Sequence, residues 1–180
     1  MELWDAYTKD GELTDVVLVR DEKIPAGFYH MVCEVLVRHA DGSFLLMQRD
    51  HRKPAYPGKW EATAGGSALR GEDLMTCIKR ELREETGLLG HTFAYLGSHV
   101  DDTDATIYHS FICRVDCDKD AVTLQEGETV DYRWAHPQEI AQMMRAQPPV
   151  CIIQRGVLVY LGMLEDGQEN LRVFRKKDGE

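Results

Sequence analysis

The sequence predicts an α/β protein in which one mixed β-sheet is covered by helices on both sides. Three observations predict it. Apolar, β-branched segments of strand length recur along the chain, the strongest being FYHMVCEVLVR from Phe28 to Arg38. One stretch, GSALRGEDLMTCIKRELREETGL from Gly66 to Leu88, passes from glycine turns into a run that only Gly87 stops, and so reads as loop, helix, loop. A second helical segment opens at Pro137, where proline suits a first helical turn. With 180 residues and 43% apolar content, residues 1–180 suffice for a single domain with its own core.

The chain opens with two short apolar segments, Leu3 to Tyr7 and Val16 to Arg20, separated by a polar KDGE turn around Gly11. They predict a hairpin-like lead within residues 1–25. The Phe28 to Arg38 strand turns at Asp41-Gly42 and returns as Phe44 to Gln48, which makes the two neighbours in one sheet. Next, RDHRKPAYPGKW is broken by Pro54 and Pro57-Gly58 into a loop that leads to a short strand from Trp60 to Ala64. This loop gathers Arg49, Arg52, Lys53 and Lys59, with His51, against Asp50 alone. In an otherwise acidic chain it is the candidate patch for an anion. Core packing is the expected fate of Trp60.

Beyond the helix that Gly87 stops, Phe93 to Val100 and Thr106 to Val115 read as strands joined by an acidic DDTDAT turn, expected to be a solvated hairpin tip. His99 and His109 on these strands are expected to be satisfied or surface histidines. An acid-rich loop from Val122 to Asp131 precedes a short strand, Tyr132 to Ala135, and the Pro137 to Arg145 helix. Val150 to Leu164 predicts a closing amphipathic helix, although its Val and Ile content also suits a strand. Residues 146–180 are thus a C-terminal helix and a charged tail, the latter expected to fray.

On the central helix, Leu74, Met75, Ile78 and Leu82 fall on one stripe, and Glu81, Glu84 and Glu85 lie beside it. Like charges at these spacings repel by a few tenths of a kcal/mol per pair, so something positive is required there. Pairing with Lys79, Arg80 and Arg83 on a solvated face is one answer. A divalent cation is the other, because hard ions such as Mg²⁺ take carboxylate, carbonyl and water oxygens, which this helix and its glycine loop supply.

Spacing decides between them. Gly66, Glu72, Arg80, Glu81, Leu82, Glu84, Glu85, Gly87 and Leu88 meet every fixed position of a pattern that resembles the signature of the Nudix hydrolase family. The resemblance implies the family's α/β/α sandwich around a mixed sheet. It also implies a Mg²⁺-dependent hydrolase, with Mn²⁺ as a substitute ion, that cleaves the diphosphate linkage of a nucleoside diphosphate derivative or related organic diphosphate. By the same resemblance Glu81, Glu84 and Glu85 hold metal or activate water, the Gly65 carbonyl is a further ligand, and Arg80 with Glu72 orients the glutamates. One more glutamate from the acid-rich loop is implied, for which Glu126 and Glu128 both fit. Arg49, Arg52, Lys53 and Lys59 are the candidates for the substrate's phosphates. Two other readings are possible on this fold: a binding module that no longer hydrolyses, and an isomerase like isopentenyl-diphosphate isomerase. The first conflicts with the intact glutamates, and the second with a signature start, Thr63 to Ser67, that has no cysteine.

Composition narrows the partners. A formal net charge of −10 argues against broad binding to nucleic acid or an anionic membrane. The N-terminal residues show no secretory pattern, and the longest apolar runs fall far short of the roughly 20 residues that span a bilayer. Five scattered cysteines without a CxxC pair fit a reducing compartment. The expectation is a cytoplasmic enzyme acting on a small molecule, in which the N-terminal hairpin also offers a homodimer interface.

Overall fold

A computed structural model describes residues 1–146 and 150–152. Their order is β1 (Leu3–Tyr7), β2 (Leu13–Val19), β3 (His30–His39), β4 (Phe44–Arg49), β5 (Trp60–Glu61), β6 (Thr63–Ser67), α1 (Leu74–Thr86), β7 (Thr92–Asp101), β8 (Thr106–Val115), β9 (Thr129–Ala135), α2 (Pro137–Arg145) and β10 (Cys151–Ile152). The strands β1 and β2 pair with each other as a separate two-stranded sheet. The large sheet runs β10-β5-β4-β3-β8-β7, with β6 also on β3 and β9 also on β4. It is mixed, as expected: β3 runs parallel to β8 from His30↔Thr106 to His39↔Val115, and antiparallel to β6 and β4.

Alternation along the strands explains the two covered faces. One face carries Cys33, Val35, Val37, Leu45, Met47 and Phe111, which pack with Ile78 and Leu82 of α1. The other carries Leu36, Phe44, Leu46 and Ile112, which pack with Ile140 of α2. Ile78 and Leu82 are fully buried, and burial of each such side chain contributes about 1.5–3 kcal/mol.

Helix α1 starts where Asp73 accepts a hydrogen bond from the Thr76 N–H at 2.7 Å. It stops at Gly87, whose left-handed backbone (φ 72°) only glycine adopts without strain. Its buried line is Cys77, Ile78, Glu81, Leu82 and Thr86. The expected apolar stripe is therefore shifted: Met75 is exposed, and Cys77 takes its place against the sheet.

Gly65 and Gly66 correct the sequence reading more sharply. They are not a turn but the middle of β6, opposite Glu34 and Cys33. A Cβ at Gly65 would stand 2.2 Å from the Cys33 carbonyl oxygen, and one at Gly66 would stand 2.6 Å from the Glu81 carboxylate. Close approach of neighbouring atoms, not turn geometry, requires glycine at both positions.

The N-terminal hairpin forms, with β2 beginning three residues earlier than predicted, at Leu13. It has a small core of Trp4, Ala6 and Leu18, against which Leu69 from the signature loop also packs. The acidic DDTDAT tip is exposed but not merely solvated, since Asp102 accepts from Lys9 at 2.6 Å and from the Tyr29 hydroxyl at 2.7 Å. His99 stacks on Tyr108, and His109 meets the Tyr95 hydroxyl at 2.9 Å. Of the predicted closing helix, Cys151 and Ile152 form instead a strand parallel to β5. The rest of that segment and the charged tail lie outside the described residues. Among the described residues, no helix is long and apolar enough to cross a membrane.

Candidate active site

Strand β3 holds β6 on one edge, and the loop after β6 turns the chain back so that α1 crosses beside the two glycines. Arg80 organises this junction. Its Nε and Nη2 donate to the two oxygens of Glu72 at 2.8 Å each, and Nη2 also reaches the Ser67 carbonyl at 3.1 Å. Its Nη1 donates to Glu81 Oε1 at 2.6 Å and to Glu84 Oε2 at 3.1 Å. Glu72 in turn accepts from the Leu69 N–H at 2.9 Å, closing the loop onto the helix. The guanidinium therefore supplies positive charge to Glu81 and Glu84, two of the three clustered glutamates.

These side chains face a cleft of about 650 Å³, a size suited to a small ligand. Glu2, Asp21, Glu61, Glu81, Glu84, Glu85 and Glu128 line it. Four cationic side chains, Arg20, Arg49, Lys53 and Arg80, oppose these seven acids. All four cations are held by the acids themselves: Arg49 pairs with Glu61 at 2.7 Å, Arg20 with Glu2 at 2.9 Å, Lys53 with Glu128, and Arg80 with Glu81 and Glu84.

The crowding shows in proton affinity. Burial pushes the Glu85 carboxyl well above the usual range, with Glu61 and Glu81 adding to it and the Gly65 N–H, donating at 3.2 Å, opposing it. Burial also raises Glu81, against the pull of Arg80. Glu72 moves the other way, lowered by its bonds from Arg80. One junction thus holds carboxylates of opposite tendency, two drawn toward the proton and one fixed as an anion.

Not every candidate reaches the cleft. Gly65, Arg80, Glu81, Glu84, Glu85, Arg49, Lys53 and, from the acid-rich loop, Glu128 line it. Among the lining residues, Glu126, Arg52 and Lys59 do not appear. Arg52 folds back onto Asp50, with Nη2 to Oδ2 at 2.6 Å. Sequence reasoning also missed residues that do line it. Glu61 was visible in the period-2 pattern of Glu61, Thr63 and Gly65, which places three alternate residues on one side of an extended chain. Glu2, Trp4, Arg20 and Asp21 gave no local signal, because only the docking of the hairpin brings them there.

The donor set suits a hard divalent ion, being carboxylate oxygens and the Gly65 carbonyl on adjoining elements. Among the described residues, no three His, Cys, Asp or Glu side chains converge into a ready-made cage.

Comparison with known proteins identifies the family. The family model of the NUDIX domain matches residues 28–155. An uncharacterized Nudix hydrolase of Listeria monocytogenes is 32% identical over 143 residues, 78% of this chain and 83% of that protein. The crystal structure of DR0079 from Deinococcus radiodurans superposes with a TM-score of 0.69 at 19% identity, covering 88% of this chain and 97% of that one. A MutT protein from Methanosarcina mazei gives a TM-score of 0.61 at 24% identity, covering 78% and 96% respectively.

Proposed function

Because the chain belongs to the Nudix family, we propose that it hydrolyses the diphosphate linkage of a nucleoside diphosphate derivative or related organic diphosphate, with Mg²⁺ or Mn²⁺. The charge balance of the cleft carries this reading. Seven acids against four bases would repel an anionic diphosphate, so such a substrate can enter only with added cations.

Glu81, Glu84, Glu85 and Glu128, with the Gly65 carbonyl, would hold the metal. When bound, such an ion polarises a phosphoryl oxygen and lowers the pKa of water. The chain's own groups do the rest. Arg49 and Lys53 neutralise the outer phosphate oxygens from the mouth of the cleft. Glu81, whose Oε1 is engaged by Arg80, would use Oε2 either to bind the metal or to take the proton of the attacking water. Arg80, anchored on Glu72, fixes the angle at which Glu81 and Glu84 are presented.

The test is phosphate release from a panel of nucleoside triphosphates, dinucleoside polyphosphates, ADP-ribose, nucleotide sugars, NADH, coenzyme A and isoprenoid diphosphates, with metal and with chelator. Turnover on one class that chelator and Glu84→Gln both abolish supports the proposal. Metal-dependent ligand binding without turnover on any class overturns it in favour of a binding module.

The proposal extends to the whole molecule. Residues 1–180 form one domain, with 1–25 as lead and 146–180 as C-terminal segment, working in the cytoplasm on a small molecule. Among the described residues its five cysteines form no disulfide, which suits a reducing compartment. A homodimer belongs to the same proposal, and light scattering on the purified chain tests it.

A further inference from the structure

We infer that the N-terminal hairpin is the specificity wall of the cleft, and that Arg20 and Glu2 bind vicinal hydroxyls of a sugar ring attached to the diphosphate. The inference rests on the hydrolase reading for the position of the phosphates and goes beyond it in naming what adjoins them.

The hairpin is built onto the signature loop. The Arg70 N–H donates to the Leu3 carbonyl at 2.8 Å, the Gly71 N–H donates to Asp5 Oδ2 at 2.6 Å, and Leu69 enters the hairpin's small core. This docking brings Glu2, Trp4 and Arg20 to the same cleft as Glu81 and Glu84. Residues 1–27 lie before the segment that the family model matches.

Its chemistry is polar and ordered. Glu2 accepts from the Trp4 indole N–H at 2.8 Å through Oε1 and from Arg20 Nη1 at 2.9 Å through Oε2. Trp4 is itself fixed by stacking on His30, with ring centroids 4.4 Å apart. Asp21, left-handed at φ 67°, adds a second carboxylate at the rim. A sugar hydroxyl both donates and accepts, and a carboxylate beside a guanidinium offers both complements at once. A hydrocarbon chain beside Glu2 and Arg20 would strip water from charged groups and return nothing.

The test measures binding to the full-length protein by calorimetry, with metal present. Its ligands are α,β-methylene-ADP, a non-hydrolysable UDP-glucose analogue, methylenediphosphonate and geranyl diphosphate. Arg20→Ala should weaken a sugar-bearing ligand about tenfold, as expected for a lost charged hydrogen bond, and leave methylenediphosphonate unchanged. A loss on both sugar-bearing ligands supports the wall and identifies ribose, which both carry, as its partner, and a loss confined to the UDP-glucose analogue supports it and identifies the hexose. Equal losses on methylenediphosphonate, or none on either sugar, overturn it, as does tight binding of geranyl diphosphate that ignores Arg20. Glu2→Gln, which keeps an oxygen for one of its donors, repeats the test if Arg20→Ala fails to fold. With a turned-over substrate, the same variants should raise KM and spare kcat. Sugar binding through Arg20 without any turnover would retain the wall and reject the hydrolase. Turnover of geranyl diphosphate that Arg20→Ala does not affect would do the reverse.

Discussion

Arg80 grips Glu72 with two parallel hydrogen bonds of 2.8 Å, tying the turn before α1 to the middle of that helix. The same guanidinium holds Glu81 and Glu84 with its remaining nitrogen. Orientation of the glutamates and closure of the loop therefore depend on one side chain. Lysine cannot reproduce a planar fork. Arg80→Lys should destabilise the protein by roughly 2–4 kcal/mol, leaving Glu72 poorly paired, and lower metal-dependent turnover as well. Urea unfolding and steady-state kinetics check the two effects.

The adjoining glycines should separate folding from activity. Gly65→Ala drives a Cβ into the backbone carbonyl of Cys33, which cannot move without breaking the β3–β6 ladder. Gly66→Ala meets the side-chain carboxylate of Glu81 instead, which can swing away. The first should cost about 3 kcal/mol or more and the second about 1 kcal/mol, with turnover nearly lost in both. Thermal melts alongside turnover at a temperature where Gly66→Ala is folded distinguish them.

Glu84→Gln keeps the shape of α1 and an oxygen for Arg80 while removing one charge from the cleft. Turnover should fall by about 10²–10⁴, with little change in stability because Glu84 is nearly half exposed. Isothermal titration with Mn²⁺ should show weaker metal binding in the same variant.

Glu34 supplies the pH dependence of stability. Buried in the sheet, it accepts from the Ser110 hydroxyl through Oε1 at 2.5 Å, and Oε2 has no hydrogen-bond partner among the described residues. Burial raises its carboxyl from 4.5 to about 7. The folded state thus binds this proton more tightly than the unfolded chain. Its stabilising contribution is full below pH 4.5 and is lost as pH rises through 7. Glu34→Gln should remove roughly 2–3 kcal/mol of the difference in stability between pH 5 and pH 8. Denaturant unfolding at both pH values is the check.

Much of this was legible in the residues. Helix α1 was bounded by its own punctuation, the Gly71-Glu72 turn and Gly87, and the glutamate spacing pointed to the family before any coordinates. Strand β3 announced itself by Val32, Val35 and Val37. What escaped had non-local causes. The strand character of Gly65 and Gly66 depends on how near Cys33 and Glu81 come, and a glycine pair alone reads as a turn. The choice of Glu128 over Glu126 for the cleft depends on a loop whose register is set by β9 pairing with β4. The acids and the arginine of the hairpin wall were hidden because their relevance arises from a fold-back across about fifty residues of sequence.

The ten-residue parallel ladder between β3 and β8 lies inside the sheet, while β7 and β10 stand at its rims. Amide protons should record that arrangement as a gradient of time. Those of β3 should exchange with solvent only when the whole molecule opens, and those of the rim strands should exchange through small local openings. Because β6 is hydrogen-bonded to β3, the carbonyl of Gly65 rides on the slowest-exchanging part of the protein. The hairpin wall, resting on a loop, belongs to a faster clock, so the part that would choose the substrate can rearrange many times while the part that would cleave it stays still.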